Sequence, residues 1–294
     1  MFGCMHTHTP FCDGKDSIEM MCQAAFEKGL VCLGFSSHAP LPPFLGIKSD
    51  WHLPPSRVAA YLDEARSAAR RWQGRLAVYV GLEVDGFVDS GGHLLAGPAD
   101  ERIRALGLDF VIGALHYILP ARGAPFTVDG PPEETWQGIE MGFGGDARAF
   151  AAAYWQAECA LIEGGGFDFA AHLDLLKKNT FFQDAAGAWQ RRWFREDACA
   201  EGMEAAVRAL AARGLPAELN TGGLNRGKTP ETYPSPRLLK ALHGQGVPII
   251  VNADAHRAAE LGGNYPLAAQ CLQEAGFSEH LLFAGRGNWR REPL

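Results

Sequence analysis

Eight short apolar runs alternate with amphipathic segments along this chain, and seven of the runs carry a histidine, aspartate, glutamate or asparagine at their end or within two residues of it. The runs are Met1–Met5, Val31–Ser36, Leu76–Val84, Phe110–His116, Phe167–His172, Pro216–Thr221, Val247–Asp254 and a last short one, Leu281–Phe283. Between them lie helical patterns over Ser17–Lys28, Arg57–Trp72, Pro98–Leu106, Ala147–Glu163, Trp189–Arg213, Ser235–Gly244 and Pro266–Ala275. Near-continuous apolar strands separated by helices imply a parallel sheet covered on both faces. Seven or eight such units make a (β/α) barrel of TIM-like form, whose working residues gather at the C-terminal strand ends. An open doubly wound sheet is the second reading. It would collect ligands at one switch point and leave most of the equipped strand ends unexplained.

The first strand end is the most telling. Met5 gives way to His6-Thr7-His8, then to Cys12-Asp13-Gly14. Residues i and i+2 of an extended segment face the same way, so His6 and His8 can grip one metal ion. Cys12 beside them reads as a packed thiol rather than a ligand. Further on, His38, Glu83, His116 and His172 follow successive runs, and Asp254 with His256 follows the seventh. Each has an ordinary structural explanation by itself, as a turn cap, a core histidine or a helix N-cap. Together they place six of the ten histidines on one rim. His52, His93, His243 and His280 fall in loops or helices and read as solvated or structural.

Nine nitrogen and oxygen donors (His6, His8, Asp13, His38, Glu83, His116, His172, Asp254, His256) exceed the roughly four to six that one zinc, manganese or iron ion takes. The excess implies two or three divalent ions with Glu83 bridging, and paired ions clamp the oxygens of an in-line phosphoryl displacement. Lys177, Lys178, Arg226, Lys228 and Arg257 lie on loops of the same rim. Arg226 and Lys178 are candidates for contacting phosphate, and the two glycines ahead of Arg226 would let the backbone come close to an anion. His256 or Asp254 could assist the leaving group.

Composition fits this picture. A net charge of −7, with 47% hydrophobic and 21% charged residues, suits a globular protein and argues against nucleic-acid or anionic-membrane partners. Seven cysteines without a C-x-x-C pair suggest reduced thiols and a cytoplasmic setting. No composition break marks a second domain, so residues 1–294 are expected to form one domain with insertions near 39–55 and 119–145. Aromatic residues in those insertions (Phe44, Trp51, Phe126, Trp136) are candidates for a lid.

The motifs H-T-H-T-x-x-C-D-G, F-S-S-H-A-P, G-L-E-V-D, F-V-I-G-A-L-H-Y, A-A-H-L-D-L-L-K-K, N-T-G-G-L and N-A-D-A-H-R resemble, in order and spacing, those of the PHP (polymerase and histidinol phosphatase) superfamily. The resemblance is strongest to its histidinol-phosphatase branch. It implies a distorted (β/α)7 barrel with a two- or three-metal centre and hydrolysis of L-histidinol phosphate by a metal-bridging hydroxide, a reaction of histidine biosynthesis. It also implies one ion at His6, His8, Glu83 and Asp254, a second at Glu83, His116 and His172, and a third at Asp13, His38 and His256. The chain departs from the pattern at Gly14, where many histidinol phosphatases carry a histidine. Its Asp-Gly form resembles the polymerase-associated members, in which the aspartate is the ligand. The alternatives are a PHP phosphoesterase for a nucleotide or sugar phosphate, an amidohydrolase-type C–N hydrolase, and a non-catalytic metal-stabilised module.

Overall fold

The computed structural model describes residues 1–193 and 199–294. Its centre is an eight-stranded sheet: β1 (Cys32–Phe35), β2 (Ala77–Asp85), β3 (Phe110–Ala114), β4 (Phe169–Ala170), β5 (Ala217–Asn220), β6 (Ile249–Asn252), β7 (Glu279–Phe283) and β8 (Trp289–Pro293). Spatial order follows chain order throughout. Pairing is parallel from β1 to β7, and only β8 returns antiparallel. Without a reversal of order there is no switch point, which removes the doubly wound alternative.

The principal helices are α1 (Ile18–Glu27), α2 (Val58–Trp72), α3 (Ala147–Gly164), α4 (Ala200–Arg213), α5 (Pro236–Gly244) and α6 (Tyr265–Ala275). Ser17 caps α1 by accepting from Met20 N, and Gly29 (φ 72°) lets the chain leave it. Alternate strand residues divide between two cores. Val80, Leu82, Val111, Leu219 and Val251 pack with the helices, whereas Met5, Phe110, Ile112, Phe169 and Ile250 fill the opposite face. This two-sided burial explains why the strands read as unbroken apolar runs. No helix among the described residues is long and apolar enough to cross a membrane.

Three expectations need correction. Met1–Met5 is not a continuous strand. It touches the sheet through single parallel bridges, Cys4 to Leu33 and Thr7 to Ala255, because the Met5 N–H donates to the Asn252 side chain (2.6 Å) instead of a neighbouring backbone. Trp189–Arg191 is a strand paired with Phe181–Gln183, not the start of a helix, since Asp184 Oδ1 accepts from Ala186 N and Ala188 N and turns the chain back. Residues 194–198 of that expected helix lie outside the described residues. The insertion 119–145 contains a helix, Pro132–Phe143. Its prolines and Gly144 (φ 62°), which read as loop signals, are its start and stop.

One buried acid in α3 has a measurable consequence. Glu158 is 2% exposed, and burial pushes its carboxyl up to about 8. The Tyr154 hydroxyl lies 3.0 Å from Glu158 Oε1 and 3.1 Å from the Leu173 carbonyl. One phenol proton cannot serve both, so a protonated Glu158 supplies the second. An unfolded glutamate titrates near ~4.3. As pH rises from there to about 8, the unfolded chain loses a proton that the folded one keeps, and stability falls. Glu158→Gln should therefore be more stable to unfolding than wild type at pH 8, by on the order of a few kcal/mol, with the gain fading toward pH 4. A difference that ignores pH would contradict this assignment.

Candidate metal centre

The strand ends bring all nine expected donors to one place. His6 and His8 flank Thr7, whose bridge to Ala255 sets both rings on one side. His38 forms a parallel bridge with Glu83, which lies within β2. His116 and His172 each stand two residues beyond a strand, β3 and β4. Asp254, two residues past β6, adopts a left-handed backbone (φ 48°), a strained state that non-glycine residues keep where the surroundings enforce it. Arg226 enforces it here, with Nη1 on the Asp254 carbonyl (2.6 Å) and Nη2 on Oδ2 (3.0 Å).

Glu83 is the hub. Its Oε2 lies 3.0 Å from His38 Nδ1, 3.2 Å from His6 Nε2 and 3.6 Å from His8 Nε2. Its Oε1 lies 2.9 Å from His172 Nε2 and 3.7 Å from His116 Nε2. Asp254 Oδ1 stands 3.2 Å from His8 Nε2 and 3.7 Å from His6 Nε2. On the outer side, Asp13 reaches His256 Nε2 (3.0 Å), His8 Nδ1 (3.4 Å) and His38 Nε2 (4.0 Å). Donors about 2.0–2.1 Å from a tetrahedral ion sit about 3.3 Å from one another. The spacings here are those of coordination polyhedra sharing Glu83.

Polar satisfaction supports the same reading. His6 Nε2, His8 Nε2, Asp13 Oδ1, His38 Nδ1, Glu83 Oε2 and His172 Nδ1 are buried and lack hydrogen-bond partners. So many orphaned acceptors in one place are costly unless something cationic binds them. Electrostatics agree. Burial pushes Glu83 up, but the charges of His6, His38 and His116 outweigh it and hold the carboxyl well below the ordinary range. Burial lowers His116, while the Asp85 and Glu83 charges lift it to about 10. The carboxylates by themselves hold protons on His6 and His116, which marks a site built for positive charge. The residues fit divalent ions.

Gly14 is explained by space. A Cβ there would lie 2.4 Å from the His8 carbonyl carbon and the Thr9 nitrogen. No side chain of any kind fits, so of the Asp13-Gly14 pair only Asp13 offers a donor beside His8, His38 and His256. Gly14→Ala should push the turn away and cost one bound ion per chain, leaving the ions around Glu83. Elemental analysis against protein concentration checks this, and an unchanged metal content would refute it.

Supporting residues were partly missed. Glu218, in the middle of β5 and fully buried, accepts from His6 Nδ1 (2.8 Å), the His172 N–H (3.0 Å), Asn220 Nδ2 (2.9 Å) and Asn252 Nδ2 (3.0 Å). The signal was present, since a glutamate inside a strand buried on both faces must have a partner. Asp85, on the same face of β2 as Glu83, holds His116 Nδ1 (2.8 Å) and His52 Nε2 (3.0 Å). Carboxylates behind ligating histidines set the tautomer and orientation of the ring. His52 is thus structural, and so is His280, whose Nε2 meets the Met1 carbonyl (3.0 Å), while His93 is exposed.

The cluster lies at the base of a cavity of about 910 Å³. Arg226, Lys178, Lys228 and Arg257 line it. Lys177 does not. A 3₁₀ turn over Leu175–Thr180 separates neighbouring side chains by about 120°. Lys178 meets Asp129 (3.1 Å) at the cavity wall, whereas Lys177 is buried against Asp174 and Glu231 (both 2.9 Å). Trp51 and Phe126 line the cavity, but Phe44 projects into solvent and Trp136 stacks on Trp193. Cys12 Sγ contacts the Thr9 carbonyl (3.3 Å) and stands 3.6 Å from His8 Nδ1.

Known proteins share this arrangement of chain and fold. "Probable histidinol-phosphatase" of Deinococcus radiodurans is 29% identical over 282 residues, covering 92% of each sequence. The hisK protein of Listeria monocytogenes superposes with a TM-score of 0.74 at 21% identity, over 90% of this chain and 98% of that one. Histidinol phosphate phosphatase of Lactococcus lactis, solved with zinc, L-histidinol and phosphate, gives a TM-score of 0.63 at 18% identity, over 96% and 97% of the two chains. The profile of the PHP domain matches residues 5–222, from the residue before His6 into the loop after β5. The chain therefore belongs to the PHP domain family.

Proposed function

We propose that this protein is a cytoplasmic metal-dependent phosphatase that hydrolyses L-histidinol phosphate to L-histidinol and phosphate, in histidine biosynthesis. The convergence of nine donors, Glu83 among them as the hub, beneath a cavity carrying Arg226 and Lys178, carries the phosphatase reading. The histidinol-phosphatase names of the relatives supply the substrate.

In this reading His6, His8, Glu83 and Asp254 hold one divalent ion. Glu83, His116 and His172 hold a second, and Asp13, His38 and His256 a third, with His8 Nδ1 near it. Zinc, manganese and iron all suit this donor set. Bound ions of this kind lower the pKa of the attacking water and stabilise charge on the phosphoryl oxygens. The chain's own groups do the rest. Arg226 spends part of its guanidinium on Asp254 and has N–H groups left for a phosphoryl oxygen. Lys178, tied to Asp129, has a further donor for the same group. Both ring nitrogens of His256 are engaged, Nε2 by Asp13 and Nδ1 near the Asp254 carbonyl (3.1 Å). With an ion in the outer cluster, the Nε2 that now faces Asp13 would turn its lone pair to that ion, and an imidazole so bound is a poor proton donor, so in this reading His256 serves the third ion rather than the leaving group. Trp51, Tyr117 and Phe126 line the cavity and offer flat apolar surface to an imidazole. The Cys4–His8 segment, placed between β1 and the end of β6, acts as the first strand of a distorted (β/α)7 barrel comprising the whole chain.

Phosphate release from a panel of monoesters tests this reading. Histidinol phosphate should exceed sugar and nucleotide phosphates in kcat/KM by on the order of 100-fold, and chelation should abolish turnover. A nucleotide or sugar phosphate cleaved as well or better would replace the substrate. A C–N substrate turned over in place of any phosphoester would remove the phosphatase reading.

A further inference from the structure

Tyr233 is only 2% exposed, yet its hydroxyl has no hydrogen-bond partner. Its backbone is fastened to the end of β5 by reciprocal bonds with Asn220. Its ring lies over Gly223, where a Cβ would fall 2.8 Å from ring Cε2 and 3.0 Å from the hydroxyl oxygen. Lys177 Nζ sits 5.2 Å from the ring centroid, and the His172 ring approaches edge-on at 6.5 Å. Packing from several sides thus fixes where the hydroxyl points. Tyr233 lines the same cavity as Arg226, Lys178 and Asp254.

Buried tyrosines usually satisfy their hydroxyl, and phenylalanine would fill this position without the unmet donor. The hydroxyl is accounted for by an acceptor that enters the cavity. Neighbouring carboxylates do not fill that role: the hydroxyl makes no hydrogen bond to Asp129, which pairs with Lys178, or to Asp254, which pairs with Arg226. Burial, and after it the charge of Asp129, hold the phenol well above its ordinary pKa, so its proton stays in place to be donated. The adjacent groups with donors to spare are a guanidinium and an ammonium. An acceptor that answers all three is an oxyanion with several oxygens.

We propose that the Tyr233 hydroxyl, together with Arg226 and Lys178, donates to the non-bridging oxygens of the phosphoryl group and is a catalytic residue of this enzyme. The assignment rests on the phosphatase reading and extends it. Unlike its two cationic neighbours the phenol adds direction without charge. Its hydrogen bond strengthens as negative charge builds on those oxygens in the transition state.

The test compares wild type with Tyr233→Phe at matched metal content, using inorganic phosphate as the probe. Titration calorimetry should show phosphate binding weakened about 10- to 100-fold, the range for a lost hydrogen bond to a charged group. kcat/KM should drop for every monoester cleaved. Without phosphate, the melting temperature should stay level or rise, because an unmet buried donor has been removed. An unchanged phosphate affinity would overturn the proposal. So would a lower melting temperature in the variant, which a structural role for the hydroxyl predicts, or a wild type with no phosphate affinity. A wild type that binds phosphate but spares histidinol phosphate would revise the substrate alone, leaving the Tyr233 comparison decisive.

Discussion

Glu83→Gln is expected to lower kcat by on the order of 10³-fold or more and to strip at least one ion from each chain. Five histidine nitrogens face this one carboxylate at 2.9–3.7 Å. Glutamine keeps the volume but loses the charge and replaces one acceptor by a donor. If its NH2 takes the place of Oε2, it points at His38, His6 and His8. If it takes the place of Oε1, it points at His172 and His116. Either way it occupies positions that need lone pairs, so excess metal should not restore activity. Metal content by elemental analysis and kcat on the same preparation decide the matter. A variant with its full complement of ions and kcat within tenfold of wild type would remove Glu83 from the centre of the mechanism.

The second large effect is expected one layer deeper. Glu218→Gln should weaken metal binding by roughly 10- to 100-fold although Glu218 does not line the cavity above the cluster. Both carboxylate oxygens are used twice: Oε1 by His6 Nδ1 and Asn252 Nδ2, Oε2 by the His172 N–H and Asn220 Nδ2. A glutamine NH2 in either orientation meets two donors head-on. With the NH2 in place of Oε1, His6 loses the acceptor that keeps its proton on Nδ1 and its Nε2 free for Glu83 and Asp254; with it in place of Oε2, the His172 N–H is left without its acceptor. Chelator competition gives the metal affinity, and thermal melting of metal-free protein gives the structural share. The metal-free variant should also be less stable, because buried donors lose their acceptor. Wild-type metal affinity in Glu218→Gln would show that His6 is oriented by packing alone.

These two residues show how far the sequence could be read. Glu83 was legible because it ends an apolar run and shares its strand-end position with the histidines. Glu218 and Asp85 lie among the same strands, but a carboxylate's partner is invisible until the strands are laid side by side. The lysine pair makes the same point. Lys177 and Lys178 are adjacent in sequence and chemically alike, and a 3₁₀ turn sends one into a buried ion network and the other to the cavity wall. The helix at Pro132–Phe143 was obscured because proline and glycine mark a helix boundary as readily as a loop.

By itself, then, the sequence determined the alternation of strand and helix, the rim on which polar residues gather, and the donor types that call for divalent ions. These follow from side-chain periodicity and ligand chemistry, which are local properties. Tertiary structure alone decided that Glu83 faces five histidines, that no side chain fits at Gly14, and that the Tyr233 hydroxyl is left without a partner. Those facts depend on distances between strands far apart in the chain, and side-chain geometry at a few ångströms is fixed only when the sheet and its covering helices pack.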